Sequence, residues 1–214
     1  MEAIGITSTI PLEIPLAAGC KVVDLNNLFI SHPQKHWLVE QAEEQGFPRN
    51  TCCWIKGIYG VVRNLGIKTI IAVTEGDCSN THALMEVLQS EGVTCIPFAY
   101  PYDRNEKLLR GQMEALMQIY GVSWEKVLEC KKNLDTLRAK TWEIDRLTWQ
   151  ENKVSGWENH FYQVSCSDMG GDPQQFGRDL DDFMGVAGKR SPLPQKIRLG
   201  YLGVPPIFPE LYEF

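Results

Sequence analysis

No C-x-x-C pair occurs in this chain, although it carries 7 cysteines, at positions 20, 52, 53, 78, 95, 130 and 166. That absence excludes zinc ribbons, thioredoxin-like redox pairs and ordinary ferredoxin runs, which all depend on that spacing. Any metal held by these thiols must be gathered by the fold. The sequence also lacks a G-x-x-x-x-G-K-[ST] phosphate loop and a G-x-G-x-x-G fingerprint, so ATP or NAD binding by this chain is unsupported. No G-x-S-x-G nucleophile turn is present. Basic charge is not in excess. The net charge of −6 disfavours nucleic acid and anionic membranes as partners. Long apolar runs are missing too, and a stretch such as Lys68–Thr74 (KTIIAVT) cannot span a bilayer. The opening MEAIGITST has neither a basic n-region nor a signal-peptide core. The expected location is therefore the cytoplasm, where thiols stay reduced. His32 and His36 are four apart, but Pro33 intervenes, and with His82 and His160 they form no zinc pair.

What is present describes a globular protein. Hydrophobic residues make up 43% and charged residues 22% of 214 positions, enough for a core that needs no disulfides. The first hundred residues alternate strand and helix signals. Strands are expected at Ala3–Thr7, Lys21–Leu25, Lys68–Thr74 and Thr94–Pro97. Helices are expected at Pro11–Ala18, Gln34–Gln45, Thr51–Leu65 and Asn80–Gln89. This alternation implies right-handed parallel crossovers, hence an α/β, Rossmann-like (flavodoxin-like) domain over 1–102. A helical region follows over 103–188. Arg104–Tyr120 carries Leu108, Leu109, Met113, Leu116 and Met117, and Ser123 caps a long helix reaching Thr148. The inward side of that long helix is expected to hold Val127, Leu128, Leu134, Leu137, Ile144 and Leu147. Asp172-Pro173 opens a further helix with Phe176, Leu180, Phe183 and Met184 on one face. Trp124, Trp142, Trp149 and Trp157 are expected to pack, not to stack nucleic acid. Over 189–214 the stretch KRSPLPQK reads as a linker, Ile197–Leu202 as a fresh strand, and Pro209 as a helix start. That order reads as the first step of a second, truncated α/β domain.

The motif TCCWIKGIYGV, residues 51–61, sets two thiols where a helix begins. Cys78, in TEGDCSNT, lies between a strand and a helix. Ligands of parallel α/β sheets bind beyond the carboxyl ends of the strands, so Cys52, Cys53 and Cys78 are expected at one rim. Backbone N–H groups at a helix N-terminus favour thiolate, the form that binds iron. Three such ligands suffice for an iron–sulfur cubane with one open corner, and buried structural cysteines are the competing reading. Gly57 and Gly60 would let a bulky cofactor approach the helix, and Asp77 and Ser79 could hydrogen-bond cluster sulfur. Cys20 precedes a strand and belongs at the opposite rim. Cys95, Cys130 and Cys166 are read as structural. Glu75 and Asp77 are possible carboxylate catalysts, but strand-end turns commonly carry such residues.

These residues resemble a known superfamily. ITSTIPLEIPLAAGCKVVDLN is similar to the opening of the 2-hydroxyacyl-CoA dehydratase and benzoyl-CoA reductase superfamily. CCWIKGIYG resembles its cysteine-bearing helix start, TEGDCSNT its second cluster-cysteine loop, and IRLGYLGVPPIFPELYEF the opening of its second domain. The resemblance implies an oxygen-sensitive iron–sulfur protein that receives low-potential electrons from a separate ATP-hydrolysing activator. It implies ligation of a 4Fe-4S cluster by Cys52 or Cys53 together with Cys78, a third ligand coming from a second domain not present here or from a partner chain. A homo- or heterodimer is expected. The doubled cysteine departs from the dehydratase pattern and favours the double-cubane branch, whose implied activity is ATP-dependent reduction of small molecules. The alternative is a component of an (R)-2-hydroxyacyl-CoA dehydratase, a lyase acting on acyl-CoA through a ketyl radical. A non-catalytic fragment or iron–sulfur scaffold is the reading from a different class.

Overall fold

The computed structural model describes residues 3–194, 198–203 and 209–212. The chain divides into two compact units, Met1–Cys130 and Lys131–Phe214. The first is built on four strands, β1 (Ala3–Ile6), β2 (Lys21–Asp24), β3 (Thr69–Glu75) and β4 (Thr94–Ala99). They form one parallel sheet in the order β2-β1-β3-β4. Ala3 lies beside Lys21, Ile4 beside Thr69, and Thr69 beside Thr94, so the strands start along a common edge. Ile70, Ile71, Ala72 and Val73 are buried in succession, as a central strand covered on both faces requires. The fold is α/β and flavodoxin-like, as the sequence alternation implies.

Six helices, α1 (Glu13–Ala17), α2 (Leu25–Ser31), α3 (Lys35–Glu44), α4 (Cys53–Leu65), α5 (Asn80–Ser90) and α6 (Glu106–Tyr120), accompany the sheet. The chain moves outward from β1 to β2 and then back past β1 to β3. Right-handed crossovers in opposite directions put their helices on opposite faces. Accordingly α1 packs with α6, while α2, α3, α4 and α5 share a core with Leu25, Phe29, Leu38, Ile58, Tyr59, Leu84 and Leu88. Helix α4 is the hub of that core, with Ile55 through Val62 buried without a break. Its C-terminus closes on Gly66 at φ 64°, the left-handed turn that glycine adopts without strain.

Between β2 and the cysteine-bearing α4 the chain forms two helices, α2 and α3, where the sequence pattern predicts only the one at Gln34–Gln45. Helix α2 went unread because Asp24 both ends β2 and caps α2, its carboxylate accepting from the Asn26 N–H at 2.8 Å. Of the apolar residues of α6, Leu116 and Met117 are buried, whereas Leu108 is 57% exposed.

Helix α7 (Trp124–Trp149) begins in the first unit and continues into the second. Val127, Leu134, Ile144 and Leu147 are buried as expected, whereas Leu128 is exposed. In the second unit α8 (Gly156–Val164) begins with a reciprocal capping box between Ser155 and Glu158. Helix α9 (Pro173–Ala187) is capped by Asp172, whose Oδ1 accepts from the Gln174 and Gln175 N–H groups. Cys166 lies on a short 3-10 turn after α8. Trp142, expected to pack, is 75% exposed. Of the strand expected at 197–202, Ile197 lies outside the described residues, and residues 198–202 carry no strand. Pro209–Tyr212 forms a single 3-10 turn.

Candidate functional site

The direction of α4 decides where the paired thiols lie. Its 13 residues span about 20 Å, close to the roughly 23 Å of the 7 residues of β3. A short turn joins the end of α4 to the start of β3. The N-terminus of α4 therefore stands at the carboxyl edge of the sheet. Cys78 follows β3 at that same edge. In the order β2-β1-β3-β4 the chain reverses direction between β1 and β3, and the crevice beyond their ends is where such folds bind ligands.

Cys52 is the N-cap of α4 and Cys53 its first residue, and both side chains are exposed. Cys52 offers no side-chain cap, so it leaves the first-turn N–H groups of α4 available to an anion. Cys78 is half-buried against the α4–α5 core. The Asn80 amide donates to its sulfur at 3.6 Å, a contact the sequence reading missed. Among the described residues no group of three or more His, Cys, Asp or Glu side chains is gathered for a metal ion. Exposed thiols beside uncapped N–H groups fit an iron–sulfur group in donor type.

The other thiols differ. Cys20 precedes β2, at the amino edge of the sheet, and burial pushes its thiol up. Burial pushes Cys95 further, to about 11, with its sulfur near the Met85 and Val93 carbonyls. Burial also raises Cys166, against the lowering effect of the Thr141 hydroxyl and Arg138.

The glycines of α4 do not open the helix to a cofactor. A β-carbon at Gly57 would sit 2.3 Å from the Phe29 ring, and one at Gly60 would sit 2.5 Å from the Leu38 carbonyl oxygen. Both glycines admit neighbouring helices, which corrects the cofactor-approach expectation. Glu75 is engaged structurally, its carboxylate accepting from the Tyr102 N–H at 2.9 Å.

Several residues around the thiol pair were invisible to motif reading. Lys56 is 1% exposed, and its Nζ donates to Glu43 Oε1 at 2.6 Å and to the Arg49 carbonyl at 3.0 Å. It thereby ties the incoming segment to α3 and α4. The Trp54 indole donates to Asn26 Oδ1, and its ring meets Phe29 edge-on at 5.5 Å. The one available signal was lysine at an apolar helical position.

Residues 7–214 match the family described as 2-hydroxyglutaryl-CoA dehydratase, D-component. No curated protein matches the chain.

Proposed function

This chain belongs to the 2-hydroxyglutaryl-CoA dehydratase D-component family, and from that premise we propose that it is an iron–sulfur component of a 2-hydroxyacyl-CoA dehydratase-type system. Cys52, Cys53 and Cys78 are its proposed ligands. The observation that carries this reading is the pair of exposed thiols at the uncapped start of α4, on the sheet edge that also bears Cys78. When bound, the cluster supplies a low-potential one-electron site. This chain's own part is to present thiolates, to stabilise them with α4 N–H groups, and to hold Cys78 through Asn80. Electrons come from a separate ATP-hydrolysing activator, and the chain lacks a phosphate loop of its own. The remaining ligands come from a second domain or from a partner chain in a homo- or heterodimer. The proposed cluster-binding part is 1–102, within the first compact unit, followed by a helical 103–188.

Two finer readings share this site. The doubled thiol favours a bridged double cubane and with it ATP-dependent reduction of a small molecule. A single 4Fe-4S cluster needs only one thiol of the pair and would serve dehydration of an (R)-2-hydroxyacyl-CoA.

Iron and acid-labile sulfide are to be measured after strictly anaerobic purification, with EPR of the reduced protein, for wild type and for Cys52→Ala, Cys53→Ala and Cys78→Ala. The reading expects iron that is lost or halved in the variants. About eight irons per ligand-complete unit select the double cubane and about four the dehydratase cluster. Colourless wild-type protein without iron, even with its partner restored, overturns the reading in favour of a scaffold.

A further inference from the structure

We propose that Asn26 is a positioning residue for the Cys52–Cys53 pair, acting through the indole of Trp54. The proposal deepens the reading above and rests on those thiols being cluster ligands. Asn26 lies just beyond β2, at the carboxyl edge of the sheet. Its Nδ2 donates to the Thr7 carbonyl at the end of β1, at 2.9 Å, and to Asp24 Oδ1 at 2.8 Å. Its Oδ1 accepts from Trp54 Nε1. The orientation of this amide is dictated by its partners, since a carbonyl only accepts and an indole N–H only donates. One side chain thus joins the ends of β1 and β2 to the residue that follows Cys53.

The start of α4 needs such an anchor. Cys52 forms no side-chain cap there, and helix ends fray unless held. On the other flank of the thiols, Lys56 fixes the Arg49 carbonyl. The cysteine dipeptide is therefore bracketed by two attachments, one through Trp54 to the sheet and one through Lys56 to the preceding segment. A ligand pair must be held within a fraction of an ångström to set the environment of a cluster, and residues behind the ligands do this holding. Phe29 supports the same indole edge-on and fills the space over Gly57, so it secures the ring but makes no polar bond to it.

Three variants separate this role from packing: Asn26→Ala, Trp54→Phe, which keeps a ring on Phe29, and their combination. Hydrogen exchange of the Lys56–Gly60 amides in the full chain is expected to accelerate about tenfold in each single variant. The double variant should exchange no faster than the singles, because both remove the same bond. In the anaerobically loaded protein, the EPR signal and midpoint potential should shift in both single variants. Unchanged exchange in Trp54→Phe, additive effects in the double variant, or an unshifted EPR signal and potential would each overturn the proposal. Wild type that takes up no iron, with the exchange result intact, would sink the cluster reading alone and leave Asn26 as the anchor of the thiol pair.

Discussion

The two edges of the sheet treat cysteine differently. At the carboxyl edge Cys52 and Cys53 are exposed at the start of a helix, and Cys78 carries an amide donor on its sulfur. At the amino edge Cys20 is half-buried and its thiol is pushed up, while Cys95, within β4, is pushed up to about 11. The residue type is the same and the chemistry is not. Burial without a compensating donor favours the neutral, unreactive thiol, whereas exposure leaves a thiol open to reagents and ligands. The exposed thiols of the described residues lie where a helix begins.

The sharpest test of that contrast is alkylation of the native, iron-free protein with iodoacetamide near neutral pH. Cys52 and Cys53 should react on the order of a hundred times faster than Cys20 and Cys95, followed by peptide mass spectrometry. Equal rates would erase the distinction between the edges.

The contrast also depends on α4 staying where it is. Lys56→Ala should cost about 2 kcal/mol in chemical denaturation, because it empties a buried position and removes the donor to the Arg49 carbonyl, while Glu43, partly exposed, keeps Arg49 beside it. Gly60→Ala should cost about 2 kcal/mol, since α3 must move away from the added carbon. A neutral result at Gly60 would mean that α3 and α4 are less tightly joined than their spacing requires.

The smallest effect lies in the middle of α4. Tyr59 donates to Glu91 Oε1 at 2.7 Å. Burial, then the bond and charge of Glu91, push its phenol up to about 12, against a lowering effect of Arg63. A raised phenol contributes stability that is present at neutral pH and lost as pH climbs from about 10, its unfolded value, through 12. Tyr59→Phe should cost about 1 kcal/mol at neutral pH and flatten the alkaline limb of the stability profile. A matching acid effect is expected in the second unit. Burial alone would raise Glu158, but the Ser155 N–H, the Arg190 guanidinium and the Ser155 hydroxyl outweigh it, and the net shift is downward. Its contribution is present above the ordinary carboxylate range and lost as pH falls through the depressed value. Glu158→Gln should therefore weaken the acid dependence of that unit's unfolding.

Much of the fold was legible along the chain. The β-branched run at 69–75 could only be a strand buried on both faces, and the Asp172-Pro173 pair marked the start of α9. Helix α2 was hidden because no turn residue separates it from β2. Helix α8 was announced by Ser155 and Glu158 at capping-box spacing, a signal that went unread. Gly57 and Gly60 were misread because a missing side chain looks the same whether a cofactor or a helix approaches it.

By itself the sequence determined the parallel α/β order and the placing of three thiols at one sheet edge. Both follow from short-range rules: the alternation of strand and helix sets the crossover hand, and the hand sets which ends meet. Only the tertiary structure decided what surrounds those thiols. Asn26 reaches Trp54 across 28 residues, and Lys56 reaches Glu43 across 13. No local pattern records such pairs, because they exist only once α2, α3 and α4 have packed on the sheet and the buried polar groups have found the partners that burial demands.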